Sequence, residues 1–301
     1  MKYNFNHITH CNMCTNTSDN SKILGKRLNQ SQGRNPKKKT GITTSVVKCK
    51  KCGLIYSNPQ PIPNSIQDHY GVPPENYWTD NYFTISDDYF QQEIKTLQNL
   101  KPFSNNQKVL DIGAGLGKCM IALEKNNYDV YGFEPSEPFY TRAINKMGIS
   151  KDKLQLSSIE DINYPDDYFD FITFGAVLEH LYDPDSCLKK VLRWLKPNGI
   201  IHIEVPSSDW LISKILNLYY RIIGTDYVTN ISPMHSPFHL YEFGLKSFQY
   251  NGEINGYKII KYEYYPCSTF MPKFLDSPLK WYMKKTNKGM QLAVWLQKNS
   301  I

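Results

Sequence analysis

The stretch Leu110–Lys118, LDIGAGLGK, constrains this chain more than any other. A strand-forming segment, KVLDI, ends there; glycines follow at 113, 115 and 117, and GKCMIALEKN then continues as a helix-forming segment. Strand, glycine turn and helix make the repeating unit of a parallel sheet, with ligand-binding ground beyond the carboxyl end of the strand and against the helix N-terminus. Glycines at such a turn let the backbone come close to a ligand. Spacing excludes two nucleotide loops. The phosphate loop G-x-x-x-x-G-K-[S/T] would need glycine where Ile112 stands and a hydroxyl where Cys119 stands. The dinucleotide pattern G-x-G-x-x-G fits Gly113 and Gly115 but meets Lys118 at its third glycine. The next strand, DVYGFE, ends at Glu134. A carboxylate at that tip can accept both hydroxyls of a ribose, so a nucleoside is the expected ligand. An ordinary α/β turn with a surface glutamate is the alternative.

The segments that follow narrow the choice. LSSIEDI leads to PDDYFDFITFGAVLEHLYDP and then to LKKVLRWLKPNGIIHIEVP. From about Val109 to Val205 this succession resembles the class I S-adenosylmethionine-dependent methyltransferases, in which the same motifs come in this order. The resemblance implies an α/β fold with a Rossmann-like, seven-stranded core and S-adenosylmethionine as cofactor. It implies cofactor contacts at Asp111, Gly113, Gly115, Glu134, Pro135, Ser158, Ile159, Gly175 and Ala176. The family often carries an acidic or polar residue before the E-D turn, near the adenine amino group. Here Ser157 and Ser158 stand there, so adenine recognition is expected through hydroxyls or backbone.

Cys11-x-x-Cys14 and Cys49-x-x-Cys52 offer four thiolates, enough to close a tetrahedral zinc site. The gap between the pairs is long, but loop closure grows slowly more costly with length. His7 and His10 are substitute ligands. A closed site has no open coordination position, so the expected role is structural, a staple holding the N-terminus on the core. The second pair continues as CKKCGLIYSNP, with Tyr70 and the pair Tyr77-Trp78 beyond. This region is similar to the N-terminal zinc ribbon of methyltransferases of bacterial sugar and surface-polysaccharide biosynthesis, which implies a sugar, glycan or related acceptor. Sugar C-methyltransferases of this type carry a further C-terminal domain, for which 301 residues leave no room; the expectation is O-methylation.

Three regions are expected: a zinc ribbon with a basic loop and proline-rich exit over 1–70, a connecting segment over 71–106, and the methyltransferase core over 107–301, with insertions near 206–242 and 266–288. In the connecting segment DDYFQQEIKTLQNL, Phe90, Ile94, Leu97 and Leu100 fall at helical spacing, and this segment is expected to cover the front of the cofactor site. The net charge of +7 is local: Lys22–Lys51 holds ten Lys or Arg and no acid. This run, with Lys37, Lys38 and Lys39, reads as a solvated loop; an RNA methyltransferase gripping phosphate with it is the second function, without stacking aromatics to support it. A non-catalytic cofactor-binding scaffold is the third, opposed by the intact glycine loop and Glu134. No run of about 18 apolar residues exists to span a bilayer, and the N-terminus lacks the apolar centre of a signal peptide, so a cytoplasmic protein is expected. The insertion at Trp210–Ile223 is expected to pack as a buried lid, with peripheral membrane contact as the alternative.

Methyl transfer to a hydroxyl needs a proton acceptor, and histidine suits it near neutral pH. His180, after the fourth core strand, and His239, after the fifth, both fall on the carboxyl rim of the sheet. Glu179 can orient a histidine, bind the cofactor's amino group or, with His180, contribute to a divalent metal site.

Overall fold

The computed structural model describes residues 3–30, 39–64, 80–102, 104–105, 107–235, 237–267, 269 and 271–299. The N-terminal part contains β1 (Tyr3–Asn6), β2 (Ser21–Gln30), β3 (Lys39–Cys49), β4 (Ile55–Ser57) and β5 (Gln60–Pro63). The core follows with β6 (Lys108–Ile112), β7 (Asp129–Glu134), β8 (Leu154–Leu156), β9 (Phe169–Gly175), β10 (Leu195–Pro206), β11 (Tyr241–Glu242), β12 (Tyr257–Tyr265) and β13 (Gln291–Lys298). A seven-stranded sheet runs in the order β12-β13-β10-β9-β6-β7-β8. Its pairs from β8 to β10 are parallel, and β13 lies antiparallel between β10 and β12. This is the class I methyltransferase fold expected from the sequence.

The central strands are apolar because both sheet faces are covered. Val109, Leu110 and Ile112 of β6 and Phe171, Ile172 and Phe174 of β9 are all buried. The helices α1 (Gln91–Leu100), α2 (Lys118–Glu124), α3 (Glu137–Met147), α4 (Pro184–Trp194), α5 (Leu211–Ile222), α6 (Leu245–Asn255) and α7 (Lys273–Lys285) alternate with the core strands. α4 shows how the sequence sets a helix: the Asp183 carboxylate caps it by accepting the Ser186 amide at 3.1 Å, Pro184 takes the first turn, and Leu188, Val191 and Leu192 face the core.

Three expectations change. The run Lys22–Lys51 is not a loop but for the most part the paired strands β2 and β3; Thr43, Thr44, Val46 and Val47 supply the β-branched residues that favour extended backbone. Lys37 and Lys38, Tyr70 and the Tyr77-Trp78 pair lie outside the described residues. Secondly, the segment expected to cover the cofactor site divides its work: Ile94 and Leu97 of α1 pack on the sheet beside Val109 and Trp295, while Tyr89, just before the helix, lies toward Asp111 and Glu204. Thirdly, α5 is not buried. Only Ile212 and Ser213 are enclosed along it.

The cysteine-bearing part is laced into the core. β11 adds to β4, giving a second sheet of order β11-β4-β3-β2. The Ser247 hydroxyl donates to the Cys52 carbonyl at 3.3 Å, and the Asn251 side-chain amide donates to the Met13 carbonyl at 3.2 Å.

Candidate active site

The glycine loop leaves the carboxyl end of β6 with Gly113, Gly115 and Gly117 at φ of 65°, 56° and 74°, a left-handed conformation that a side chain would strain. A Cβ at Gly113 would lie 2.7 Å from Val177 Cγ2, so this loop touches the turn that follows β9. A Cβ at Gly115 would meet nothing nearer than 3.9 Å, so backbone there faces open space. Glu134, at the tip of β7, is buried; one carboxylate oxygen accepts the Gly115 amide and the other the Ser136 amide, both at 2.8 Å. Each oxygen keeps a lone pair for a hydroxyl of a ribose. Burial pushes the Glu134 carboxyl up to about 7, against the pull of the two amides.

Asp111 at the end of β6 is buried, and its Oδ2 has no hydrogen-bond partner among the described residues. Burial, then the Glu134 carboxylate, raises it to about 8. A buried orphan oxygen is costly until a donor reaches it, and an amino group of a ligand would satisfy it. The open glycine backbone, the Glu134 tip and the orphan Asp111 oxygen together fit S-adenosylmethionine. Pro135 follows Glu134 at the same tip.

Ser158 and Ile159 do not present their side chains as expected. The Ser158 hydroxyl is held by Asp161 at 2.8 Å, and Ile159 is buried in the core. Backbone is then the means left to this turn for contacting adenine; the Ser157 amide donates to the Glu134 carbonyl at 3.2 Å. Gly175, at the end of β9, faces open space, and Ala176 takes a left-handed φ of 56° with its amide donating to the Glu204 carbonyl at 3.1 Å.

Beyond Val177 the chain turns through Leu178–His180. Glu179, His180 and His239 meet here, with ligating atoms within 4.8 Å of one another. His239 Nε2 is 3.7 Å from Glu179 Oε1, and the two imidazole rings cross edge-on at 5.1 Å. The backbone fixes this meeting: the Leu240 amide donates to the Glu179 carbonyl at 2.9 Å, and the Ser232 amide donates to the His239 carbonyl at 2.9 Å. His180 Nδ1 lies 3.1 Å from the Phe238 carbonyl, to which it donates. Glu179 is fully buried and its Oε2 has no hydrogen-bond partner among the described residues. Burial raises Glu179 to about 8 and lowers His180 to about 4. Burial, helped by the neighbouring His180, lowers His239 to about 3. At neutral pH the cluster therefore rests as a carboxylic acid beside two neutral imidazoles, not as an ion pair. His235, by contrast, meets Arg27 Nη2 at 3.2 Å, away from this cluster.

Two residues missed in the sequence belong here. Tyr89, before α1, lies in electrostatic range of Asp111 and Glu204. Glu204 sits near the end of β10, its carboxyl raised by burial. The signal for Glu204 is an acid inside the apolar run IIHIEV; Tyr89 falls within DDYFQQEIKTLQNL, the segment expected over the site, without being singled out there.

Replacing Glu134 with Ala would take away both acceptor oxygens that it offers to the hydroxyls of a ribose. S-adenosylhomocysteine is expected to bind that variant about 10- to 150-fold more weakly, the scale of about 1.5–3 kcal/mol for hydrogen bonds to a charged group. Because hydroxyl donors favour the ionised carboxylate, wild-type affinity should rise as pH climbs through about 7. Calorimetry across that range checks both, and wild-type affinity in the variant would remove Glu134 from the site.

The four N-terminal thiols form a separate buried cluster, also with sulfurs within 4.8 Å of one another. Cys11 and Cys52 sulfurs are 3.5 Å apart and Cys14 and Cys49 sulfurs 3.6 Å. A tetrahedron with metal–sulfur bonds of ~2.3 Å has edges of about 3.8 Å, so the spacing suits zinc. Backbone amides of Lys51 and Cys52 point at the Cys49 sulfur. His7 and His10 are exposed, and the residues able to hold a metal here are the cysteines.

A family model for a methyltransferase domain matches residues 87–252, more than half of the chain. A ubiquinone biosynthesis O-methyltransferase of Bradyrhizobium diazoefficiens is 28% identical over 148 residues, covering 48% of this chain and 54% of that protein. An uncharacterised methyltransferase of Schizosaccharomyces pombe is 28% identical over 133 residues, covering 40% of this chain and 48% of that protein. The chain thus spans about half the length of these relatives. A solved S-adenosylmethionine-dependent methyltransferase from Archaeoglobus fulgidus is 17% identical with a TM-score of 0.49, covering 74% of this chain and 100% of that one. The fold itself rests on the strand order.

Proposed function

The chain belongs to the methyltransferase domain family, and from that premise we propose that it moves the methyl group of S-adenosylmethionine to a hydroxyl oxygen of a sugar, glycan or related small acceptor. The observation that carries this reading is the meeting of His239, His180 and Glu179 on the rim that also bears the glycine loop. When bound, the donor supplies a methyl on an already activated sulfonium, so holding the acceptor in line accounts for much of the rate. The chain's own chemistry is then proton removal. His239 Nε2, a neutral acceptor, takes the hydroxyl proton, and Glu179 supplies the counter-charge for the imidazolium once it ionises. His180, held through Nδ1 by Phe238, packs against His239 and assists it. Glu134 and the backbone of Gly113 and Gly115 hold the nucleoside, and Asp111 holds the amino group.

Oxygen as acceptor atom is supported by this histidine pair, and by relatives whose names are those of O-methyltransferases. The sugar class is supported by the likeness of the cysteine-bearing N-terminus to ribbons of sugar-modifying methyltransferases. Cys11, Cys14, Cys49 and Cys52 hold one structural zinc ion in this reading, as a staple between that part and α6.

Incubation with methyl-labelled S-adenosylmethionine and panels of nucleotide sugars, glycans and RNA tests the assignment. Label is expected in a sugar or glycan as an alkali-stable ether. Label in RNA alone would overturn the acceptor class.

A further inference from the structure

The helices α5 and α7 turn apolar side chains to solvent on a scale a water-facing surface does not need. Ile222 is 75% exposed, Phe274 76% and Trp281 64%, with Ile215, Leu218 and Tyr282 also exposed. Scattered apolar residues are ordinary on a surface, but these are concentrated on two helices with few enclosed side chains. Along α7, Met283 alone is buried.

Both helices stand at one end of the molecule. α5 leaves the carboxyl end of β10, and α7 leaves that of β12, which runs parallel to β10 because β13 is antiparallel to both. The Leu211 amide donates to the Lys288 carbonyl at 3.2 Å, and the Ser207 amide to the Met290 carbonyl at 2.9 Å, so the start of α5 abuts the chain leaving α7. This is the rim of the sheet on which the glycine loop and Glu179 also lie.

Charge decides what such a face can meet. Lys214 and Arg221 on α5 and Lys273, Lys280, Lys284 and Lys285 on α7 stand against one carboxylate on the helices, Asp276. Asp209 and Glu263, off the helices, pair with Lys214 at 2.9 Å and Lys284 at 4.0 Å, and a cationic surplus remains. A second copy of the chain would set this patch against itself in a two-fold contact, cation facing cation. An anionic lipid surface complements it. Lys and Arg stems lie along apolar surface while their charged ends reach head groups, and Trp and Tyr favour the boundary between apolar and polar layers. A helix of 12 residues spans only about 18 Å, and no helix among the described residues is long and apolar enough to cross a membrane. Lying in the interface is the mode such helices use.

We propose that α5 and α7 form a docking surface for an anionic bilayer, into which Ile222, Phe274 and Trp281 insert while the lysines and Arg221 meet lipid phosphates. This brings the site's rim to the membrane, where an amphiphilic acceptor can reach it. The docking itself needs no turnover, so it can be tested apart from the reaction.

Flotation of the full chain with vesicles provides the test. The chain is expected to float with phosphatidylcholine vesicles containing phosphatidylglycerol, to stay behind with pure phosphatidylcholine, and to be released by raised salt as screening sets in. Ile222→Glu, Phe274→Glu and Trp281→Glu should each weaken binding at least about tenfold, since each places a charge where the bilayer is apolar, with an unchanged melting temperature because these side chains are exposed. Failure to bind phosphatidylglycerol vesicles at low salt would overturn the proposal. So would binding that persists in all three variants, or a vesicle-free dimer that Ile222→Glu dissociates.

Discussion

His239→Ala is expected to lower turnover on the acceptor by about 10²- to 10⁴-fold, the usual scale of general-base assistance, while S-adenosylhomocysteine affinity stays near wild type. The expectation follows from where the ring sits. It is held by backbone bonds through Ser232 and Leu240, 3.7 Å from a buried carboxyl, on the rim but apart from Glu134. The pH dependence carries the same assignment. Glu179 is pushed up to about 8 and His239 down to about 3, so below pH 8 the carboxyl is mostly neutral and cannot support an imidazolium. kcat/KM should therefore climb with pH toward about 8, and Glu179→Gln should both lower activity and remove that limb. His180→Ala should cost less than His239→Ala. If both single variants and the double variant keep near-normal turnover, neither histidine is the base, and positioning alone drives the transfer.

Cys49→Ser is expected to abolish the binding of about one equivalent of zinc and to destabilise the protein by on the order of 4–5 kcal/mol, the range reached when a structural metal is lost. The four thiols pack in one cluster with Met13, Leu54, Tyr56, Tyr241 and Phe248, so opening the metal site also loosens the contact between the N-terminal sheet and α6. Thermal melting with elemental analysis reads the effect, and chelation of the wild type should reproduce it. Turnover per folded molecule should change little, since a closed site offers no position to substrate. A metal-free wild type of full stability would show that the thiols act as buried hydrophobes instead.

The sequence disclosed the core because that part is governed by local rules. β6 (KVLDI) and β9 (FDFITFG) are rich in large apolar residues that are buried, and Asp111, the glycines and Glu134 mark strand ends that chain connectivity brings to one edge. The two Cys-x-x-Cys pairs were equally plain. Other features depend on contacts between distant segments. His180 and His239 both pointed to the rim, but their meeting depends on the Leu240–Glu179 backbone bond, which no periodicity encodes. The basic run reads as a loop by its charge, whereas Thr43, Thr44, Val46 and Val47, whose branched side chains favour extended backbone, set the strand it forms. The insertion Trp210–Ile223 was legible as apolar, interrupted by Lys214 and Arg221, but what covers it was not, and the expected burial does not follow. Ser158 was legible as a hydroxyl near the turn, while its use by Asp161 was not.

Titration of S-adenosylhomocysteine into the purified chain by calorimetry, beside NAD and ATP, puts the methyltransferase reading to its most direct test. One molecule of S-adenosylhomocysteine should bind per chain, with no comparable heat from the other two nucleotides. Tight binding of NAD or ATP with none of S-adenosylhomocysteine would contradict it, because Glu134 and the glycine loop would then be serving a different cofactor.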